Sequence, residues 1–332
     1  MGGMELNDKG LKLLEQYDLQ VQGTRRGRGS YICETDKGLK LFTDFAGSSN
    51  RLAFVNRVLY HLREEGFTKV DVVMPNKEGE LYCKDWEENR YVVKDWYAGR
   101  ECDTKNEGEI LEAVRNLARL HQVMRMAPGP EDAGKYEAVS LEEDFVRKNR
   151  ELKKVRTFIR GRHQKNPFET GYLNYFTMFF EQALSATEQL GSQNQEELQK
   201  RSIEDGLLCH GDYNQHQVLF CRDGIATTNF IKCRYDVQVS DLYQFLRKIL
   251  EKQNWSMELG RSILNAYEQV RPLSASEWEN LRLRLSYPEK FWKLANHYYG
   301  RNKAWIPGKN VEKLEVLVHQ QERRNLFLKM LE

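Results

Sequence analysis

A twelve-residue loop in the second half of the chain restricts the possible folds more than any other feature of the sequence. It covers 208–219, Leu-Cys-His-Gly-Asp-Tyr-Asn-Gln-His-Gln-Val-Leu, and contains His210 and Asp212. An apolar strand is predicted at its end, followed by a turn at Asp223–Gly224 and a second strand over 225–230. A His-Gly-Asp triplet recurs by chance, but this triplet followed by strand, turn and strand is far more specific.

The loop has the spacing of a phosphotransferase catalytic loop. In such loops an Asp two residues after a His orients the substrate hydroxyl or accepts its proton, and an Asn five residues later binds magnesium. Asp212 stands at the base position, with His210 and Asp241 predicted to support the loop. The expected Asn is Gln217, and the second expected ligand, an Asp before an aromatic residue, is Asn229. The alternative is that Asp212 is an ordinary loop carboxylate.

Both changes weaken the predicted magnesium site. Magnesium prefers carboxylates and other oxygen ligands in a tight octahedron. Asn229 offers a neutral amide, and Gln217 places its amide one methylene further out. Loss of a full charge about 4 Å from a divalent ion costs several kcal/mol in a partly buried site, so Asn229 is the more damaging change. No other metal ligand is predicted.

The expected phosphate-binding residues are also missing. A kinase has a Lys on its third strand, paired with a Glu from the next helix. Thr43 occupies the Lys position, while Lys40 falls on the opposite face of the strand by the period of two. The segment 50–62 of the next helix contains no acidic residue. Arg28, in the Gly-rich turn 25–29, is a candidate anion contact, although such turns are common on protein surfaces.

The order of predicted elements indicates an α+β, two-lobed protein kinase-like fold. Residues 1–95 are predicted to form a small antiparallel-sheet N-lobe with one helix, and 96–332 a larger, mainly helical C-lobe. In the N-lobe we predict helices over 5–18 and 49–65 and strands over 19–24, 29–35, 39–45, 80–84 and 90–95.

Two further segments allow more than one interpretation. The charged stretch 141–165 is either a grip for an acidic partner or a solvated helix face with an apolar stripe. A C-terminal aromatic block either packs into the core, which we prefer, or forms a cage for a cation. Its members are Phe291, Trp292, Tyr298, Tyr299 and Trp305.

Composition excludes several classes of partner. Lys and Arg total 51 against 49 Asp and Glu, so nothing favours nucleic acid or an anionic membrane as partner. The longest apolar runs are shorter than the roughly 20 residues of a membrane span. No basic segment followed by an apolar core begins the sequence, which predicts synthesis in the cytoplasm. The cysteines form no C-x-x-C pair and are predicted to be isolated thiols.

Several segments together carry a resemblance to a known family. They are 96–103, 117–121, 209–213, 240–247 and 287–293, the last continued by 298–299 and 304–307. On these segments the chain resembles the CotS-type spore coat proteins, a branch of the aminoglycoside phosphotransferase and choline kinase-like superfamily. The resemblance implies a protein kinase-like fold, synthesis in the mother cell, location in the spore coat and spore coat proteins as partners. It also implies ATP and Mg²⁺ as cofactors, whose binding the changed residues predict to be weak or lost.

Two functions therefore remain open at the level of sequence. The first is a catalytically impaired, pseudokinase-like protein that takes part in coat assembly through its surfaces. The second is an ATP- and magnesium-dependent phosphotransferase that acts on a small hydroxylated metabolite bound in the interlobe cleft. The spacing of the motifs supports descent from the second, whereas the residues at positions 43, 217 and 229 favour the first.

Overall fold

The computed structural model describes residues 12–27, 30–191, 195–300 and 307–332. The strands are β1 (Val21–Gly27), β2 (Ser30–Thr35), β3 (Gly38–Asp44), β4 (Val73–Met74), β5 (Cys83–Lys84), β6 (Arg90–Asp95), β7 (Gly99–Glu101), β8 (Leu208–Cys209), β9 (Val218–Cys221), β10 (Gly224–Thr227) and β11 (Arg234–Tyr235). The helices are α1 (Ser49–Glu64), α2 (Glu107–Val123), α3 (Leu141–Arg160), α4 (Pro167–Gly191), α5 (Gln195–Glu204), α6 (Val239–Lys252), α7 (Met257–Glu268), α8 (Ala275–Ser286), α9 (Glu289–Gly300), α10 (Pro307–His319) and α11 (Gln321–Met330). A short 3-10 helix covers Phe230–Lys232.

The chain forms two compact units. The first comprises 1–133 and 210–234, and the second comprises 134–209 and 235–332. The predicted catalytic loop therefore belongs, from His210 onward, to the same unit as the N-terminal sheet. The predicted division into lobes at 95/96 stays a prediction.

An antiparallel sheet in the order β1-β2-β3-β6-β4, with β5 also paired to β6, forms the framework of the first unit. Along β3 and β6, Thr43 lies opposite Val92 and Leu41 lies opposite Lys94. The predicted antiparallel sheet with mainly helical sequence after it is confirmed. Strand β4 was not predicted, because two residues are too few to show a period.

Helix α1 covers one face of this sheet. It begins after Ser48, whose hydroxyl accepts a hydrogen bond from the Arg51 amide at 3.2 Å, as an N-cap serine does. Leu52 packs into a cluster with the buried side chains of Val73 and Val92. The Asn56 side chain accepts from the amide of Val73 at 2.9 Å and donates to its carbonyl at 3.3 Å. These bonds fix the position of α1 along β4.

A second sheet in the first unit, in the order β10-β9-β7, holds the segment after the loop. The predicted strand over 225–230 is too long, since β10 ends at Thr227. Asn229 adopts the left-handed conformation, with φ 66° and ψ 56°, and this ends the extended backbone. Phe230 then begins the 3-10 helix. The position predicted for a metal ligand is therefore a turn and not a strand.

The second unit is mainly helical, and its core includes part of the C-terminal aromatic block. The ring of Phe291 stacks on Tyr172 at 4.8 Å and on Phe179 at 4.4 Å between centroids. The preferred interpretation, core packing, is therefore confirmed for Phe291. Trp305 lies outside the described residues.

The Lys148 ammonium lies 4.7 Å from the ring centroid of Trp292 and 5.5 Å from that of Tyr287. These two aromatic faces thus already contact a cation of the chain itself. The cation-cage interpretation gains no support at these rings.

Two properties follow from the described residues as a whole. All six cysteines are free thiols, as their spacing predicts. None of the helices in the described ranges has the length and hydrophobicity needed to cross a membrane.

Candidate functional site

His210 is completely buried and braces the catalytic loop from inside. Its Nε2 lies 2.9 Å from the carbonyl oxygen of Thr228, and its Nδ1 accepts a hydrogen bond from the Asp212 amide at 3.2 Å. Because Nδ1 accepts and Nε2 faces an acceptor, the ring is the neutral Nε2–H tautomer. The Phe230 ring lies 4.5 Å away between centroids. His210 therefore joins the loop to the segment around Asn229.

Gly211 lies where only glycine fits. Its φ of +81° is left-handed, and a Cβ there would lie 2.8 Å from the carbonyl carbon of Lys232 and closer still to its oxygen. The loop thus packs directly against the backbone of Lys232.

Each oxygen of the Asp212 carboxylate has a partner from the first unit. Oδ2 forms an ion pair with Lys232 Nζ at 2.8 Å, and Oδ1 accepts from Asn214 Nδ2 at 3.2 Å. Asn214 Nδ2 also donates to the Asp212 carbonyl at 2.7 Å, which holds the amide in place. The side chain of Asp212 is 22% exposed and that of Lys232 is 61% exposed. The base position is thus open to solvent and paired with a cation that the sequence analysis missed.

The two altered metal positions are brought close together through Thr228. The Thr228 amide donates to the Gln217 carbonyl at 2.9 Å, and its hydroxyl lies 3.5 Å from Gln217 Oε1. Asn229 follows directly, and its amide donates to Asp71 Oδ2 at 2.8 Å. The structure therefore brings positions 217 and 229 close together, with neutral amides at both.

Asp71 is a buried carboxylate that the sequence analysis also missed. Its Oδ2 accepts a hydrogen bond from Lys94 Nζ at 2.6 Å in addition to the one from Asn229. The side chain is 2% exposed, and its Oδ1 has no hydrogen-bond partner among the described residues. An ion pair thus adjoins the altered metal position.

Thr43 supplies no charge at the expected lysine position. Its hydroxyl accepts from Ser30 Oγ at 2.9 Å. Lys40, on the other face of β3, is buried and bonds Asp95 at 2.5 Å. Asp95 also pairs with Arg63 of α1. The lysine of β3 is therefore part of a structural ion-pair network.

Helix α1 contributes a cation, Arg51, to the segment that follows Asn229. Its first turn contains no acidic residue. Arg51 donates through Nε to the carbonyl of Ile231 at 2.8 Å and through Nη2 to that of Cys233. The helix thus fixes the backbone that follows Asn229.

Two predicted site residues stand apart from this group. Arg28 lies outside the described residues. Asp241 is fully buried in the first turn of α6, in the second unit. Its support of the catalytic loop stays a prediction.

The side chains at this site do not fit a kinase-type magnesium site. Gln217 and Asn229 are neutral, while Asp212 is paired with Lys232 and Asp71 with Lys94. Among the described residues no group of three or more His, Cys, Asp or Glu side chains is arranged to hold a metal ion. Magnesium binding relies on carboxylates whose charge is available to the ion.

An antiparallel sheet with one covering helix, a His-Gly-Asp loop and a mainly helical remainder define the class of kinase-like phosphotransferase folds. An aminoglycoside phosphotransferase from Alicyclobacillus acidocaldarius is similar over 100% of this chain and 96% of its own, with 19% identity and a TM-score of 0.84. The spectinomycin phosphotransferase APH(9)-Ia is similar over 97% and 100%, with 9% identity and a TM-score of 0.66.

Within that class the chain belongs to the family described as "Spore coat putative kinase YutH", whose model matches residues 11–331. Spore coat protein S of Bacillus subtilis is 20% identical over 310 residues, which cover 93% of this chain and 88% of that protein. The resemblance to spore coat proteins is confirmed, and the similar solved structures confirm the kinase-like phosphotransferase fold.

Proposed function

We propose that this chain is a spore coat component that acts in coat assembly and does not transfer phosphate by the magnesium-dependent route. Family membership and the similarity to spore coat protein S support the location in the coat. The second part is supported by the two described carboxylates near the metal positions, since Asp212 and Asp71 are each bound to a lysine. In this function its partners are coat proteins, which bind to its surfaces.

Both carboxylate oxygens of Asp212 already accept hydrogen bonds from the chain, which supports a structural role for this residue. Oδ2 accepts from Lys232 and Oδ1 accepts from Asn214. General base catalysis requires an acceptor within hydrogen-bond reach of the proton that it removes. In the proposed function Asp212 has a structural role, as the acceptor that ties Lys232 to the loop.

Coat assembly is tested by genetic complementation in the spore-forming host. Deletion of the gene is expected to change the protein profile of extracted coats, and a fluorescent fusion is expected to locate to the coat. The variant Asp212→Asn should restore the wild-type profile, because the amide keeps the size of the side chain and removes the base. Failure of a stably produced Asp212→Asn protein to restore the coat would argue that catalysis is needed.

Magnesium dependence is tested by thermal shift. The melting temperature in ATP is expected to be the same with magnesium as with EDTA in the wild type. Asn229→Asp combined with Gln217→Asn restores a carboxylate and the shorter amide, and should produce a magnesium-dependent rise of a few degrees. Asn254→Asp is the matched control, since Asn254 is an exposed asparagine that also has a positive φ, 48°. A clear magnesium-dependent rise in the wild type would refute the proposed loss.

The second candidate is an ATP-dependent phosphotransferase acting on a small hydroxylated metabolite. The partly exposed Asp212 favours it, as does the ADP complex of the similar spectinomycin enzyme. A screen of metabolites and coat extract with labelled ATP tests it. Transfer by the wild type that Asp212→Ala abolishes would establish this function in place of the first.

A further inference from the structure

We infer that Lys94 binds the phosphate groups of a nucleotide, taking the place of the lysine that is expected at position 43 of β3, where the chain has Thr43. The pairing register of β3 and β6 supports this inference. Thr43 lies opposite Val92, and Val92 comes two residues before Lys94 on β6. Directly opposite residues of paired antiparallel strands share a face of the sheet, and so do residues two apart along one strand. Lys94 is thus the diagonal neighbour of Thr43, on the face that α1 covers through Leu52. Lys40 points to the other face.

The Lys94 ammonium can form more hydrogen bonds than the described residues offer it. Its side chain is only 15% exposed, yet within the described parts of the chain its ammonium bonds a single acceptor, Asp71 Oδ2 at 2.6 Å. An ammonium group has three N–H donors. Two donors are therefore left for an acceptor that the described residues do not supply. Phosphate oxygens bind lysine ammonium groups well because both partners are charged.

The Lys94 ammonium also lies close to Asn229, the altered metal position. Asp71 Oδ2 accepts both from Lys94 and from the amide of Asn229, so the ammonium lies beside the altered metal position. A kinase pairs its phosphate-binding lysine with an acid from the helix. Here α1 has no acid in its first turn, and Asp71 fills that positioning role from the segment before β4.

A phosphate-binding ammonium at this place has a consequence for cofactor use. Its charge is fixed in the protein, so binding of the phosphate groups does not need magnesium. The choice of a nucleotide as ligand rests on the kinase-like fold. The competing interpretation is that Lys94 and Asp71 form a purely structural ion pair.

Calorimetric titration of the full chain with ATP in EDTA distinguishes phosphate binding by Lys94 from a purely structural ion pair. The wild type is expected to bind, and Lys94→Met combined with Asp71→Asn should raise the Kd about tenfold or more, the value of one charge-assisted hydrogen bond. The double change avoids an unpaired buried carboxylate. Asp71→Asn alone keeps the lysine and should bind at least as tightly as the wild type. Lys84→Met, which removes an exposed lysine of the same sheet, should leave the Kd unchanged.

Inorganic tripolyphosphate and adenosine distinguish the sources of binding. Tripolyphosphate should compete with ATP in the wild type and bind more weakly to the Lys94→Met, Asp71→Asn protein. Adenosine should bind the two proteins equally. No ATP binding in EDTA, or equal ATP affinity in the wild type and this double variant, would overturn the inference.

A measurement on the unaltered protein covers the case in which the variants do not fold. Amine acetylation followed by mass spectrometry should show that saturating ATP in EDTA protects Lys94, with Lys84 as the internal reference. Unchanged acetylation of Lys94 would also overturn the inference. Neither failure bears on coat assembly, which complementation tests separately.

Discussion

Replacement of Lys148 by methionine is expected to lower the free energy of unfolding by about 3 kcal/mol or more, because it leaves a buried carboxylate without its main partner. The side chains of Lys148 and Glu289 are each 9% exposed, and Lys148 Nζ lies 2.6 Å from Glu289 Oε2. The same ammonium lies 2.6 Å from Asp144 Oδ2. Lys293, 3.4 Å from Glu289, compensates only in part. Urea denaturation followed by circular dichroism measures the change.

Two further variants show whether burial is the cause. Lys148→Met combined with Glu289→Gln should recover most of the loss, since the buried side chain at position 289 no longer carries an uncompensated charge. Lys200→Met breaks a pair whose side chains are 69% and 63% exposed, and should cost less than about 1 kcal/mol. Equal losses for Lys148→Met and Lys200→Met would contradict the explanation.

The same ion pair predicts how stability depends on pH. Burial alone would raise the pKa of Glu289, but the charges of Lys148, Lys293 and Arg247 outweigh it and hold the pKa below its usual range. A carboxyl whose pKa is lower in the folded state stabilises the fold above its unfolded pKa. Its contribution is lost as the pH falls through the lowered folded value. The Lys148→Met protein should show a weaker loss over this acid range.

The same residues show how far the sequence could predict the second unit. The apolar period predicted that 141–165 contains a helix, and α3 covers Leu141–Arg160 with Phe145 and Leu152 buried. The period also assigned the charges between these apolar residues to a solvated face or to an acidic partner. Lys148 instead turns inward, because Glu289, 141 residues away, supplies a buried partner. Pairing over that distance leaves no trace in a local pattern.

The candidate site also contains some residues that a local sequence pattern can identify and others that it cannot. Fixed spacing along the chain selected Asp212, Gln217 and Asn229 as candidates, and their roles stay predictions. Asp71 could not be found by spacing, because it lies 158 residues from the amide that it accepts from. Lys94 could not be found either, since its relation to Thr43 depends on the register of two strands. Residues that the chain brings together by sheet pairing need the structure to be recognised.

Replacement of Gly211 by alanine is expected to lower the free energy of unfolding by about 3 kcal/mol or more, because the site disfavours a side chain in two ways. The left-handed conformation at φ +81° accounts for about 1–2 kcal/mol. The rest comes from overlap of the new Cβ with the carbonyl group of Lys232, which is backbone and cannot rotate away. Urea denaturation again measures the change. A loss below about 1 kcal/mol would mean that the loop does not pack on Lys232 as described.

Gly38→Ala is the matched control, because Gly38 has φ +83° and no atom within 4 Å of the position of a new Cβ. It should show the conformational cost alone, about 1–2 kcal/mol. The difference between the two variants then measures the packing of the loop on Lys232, whose side chain also pairs with Asp212. A large difference would mean that packing constrains Gly211 whether or not Asp212 removes a proton. The His-Gly-Asp sequence can then persist for structural reasons in a chain whose metal positions have become amides.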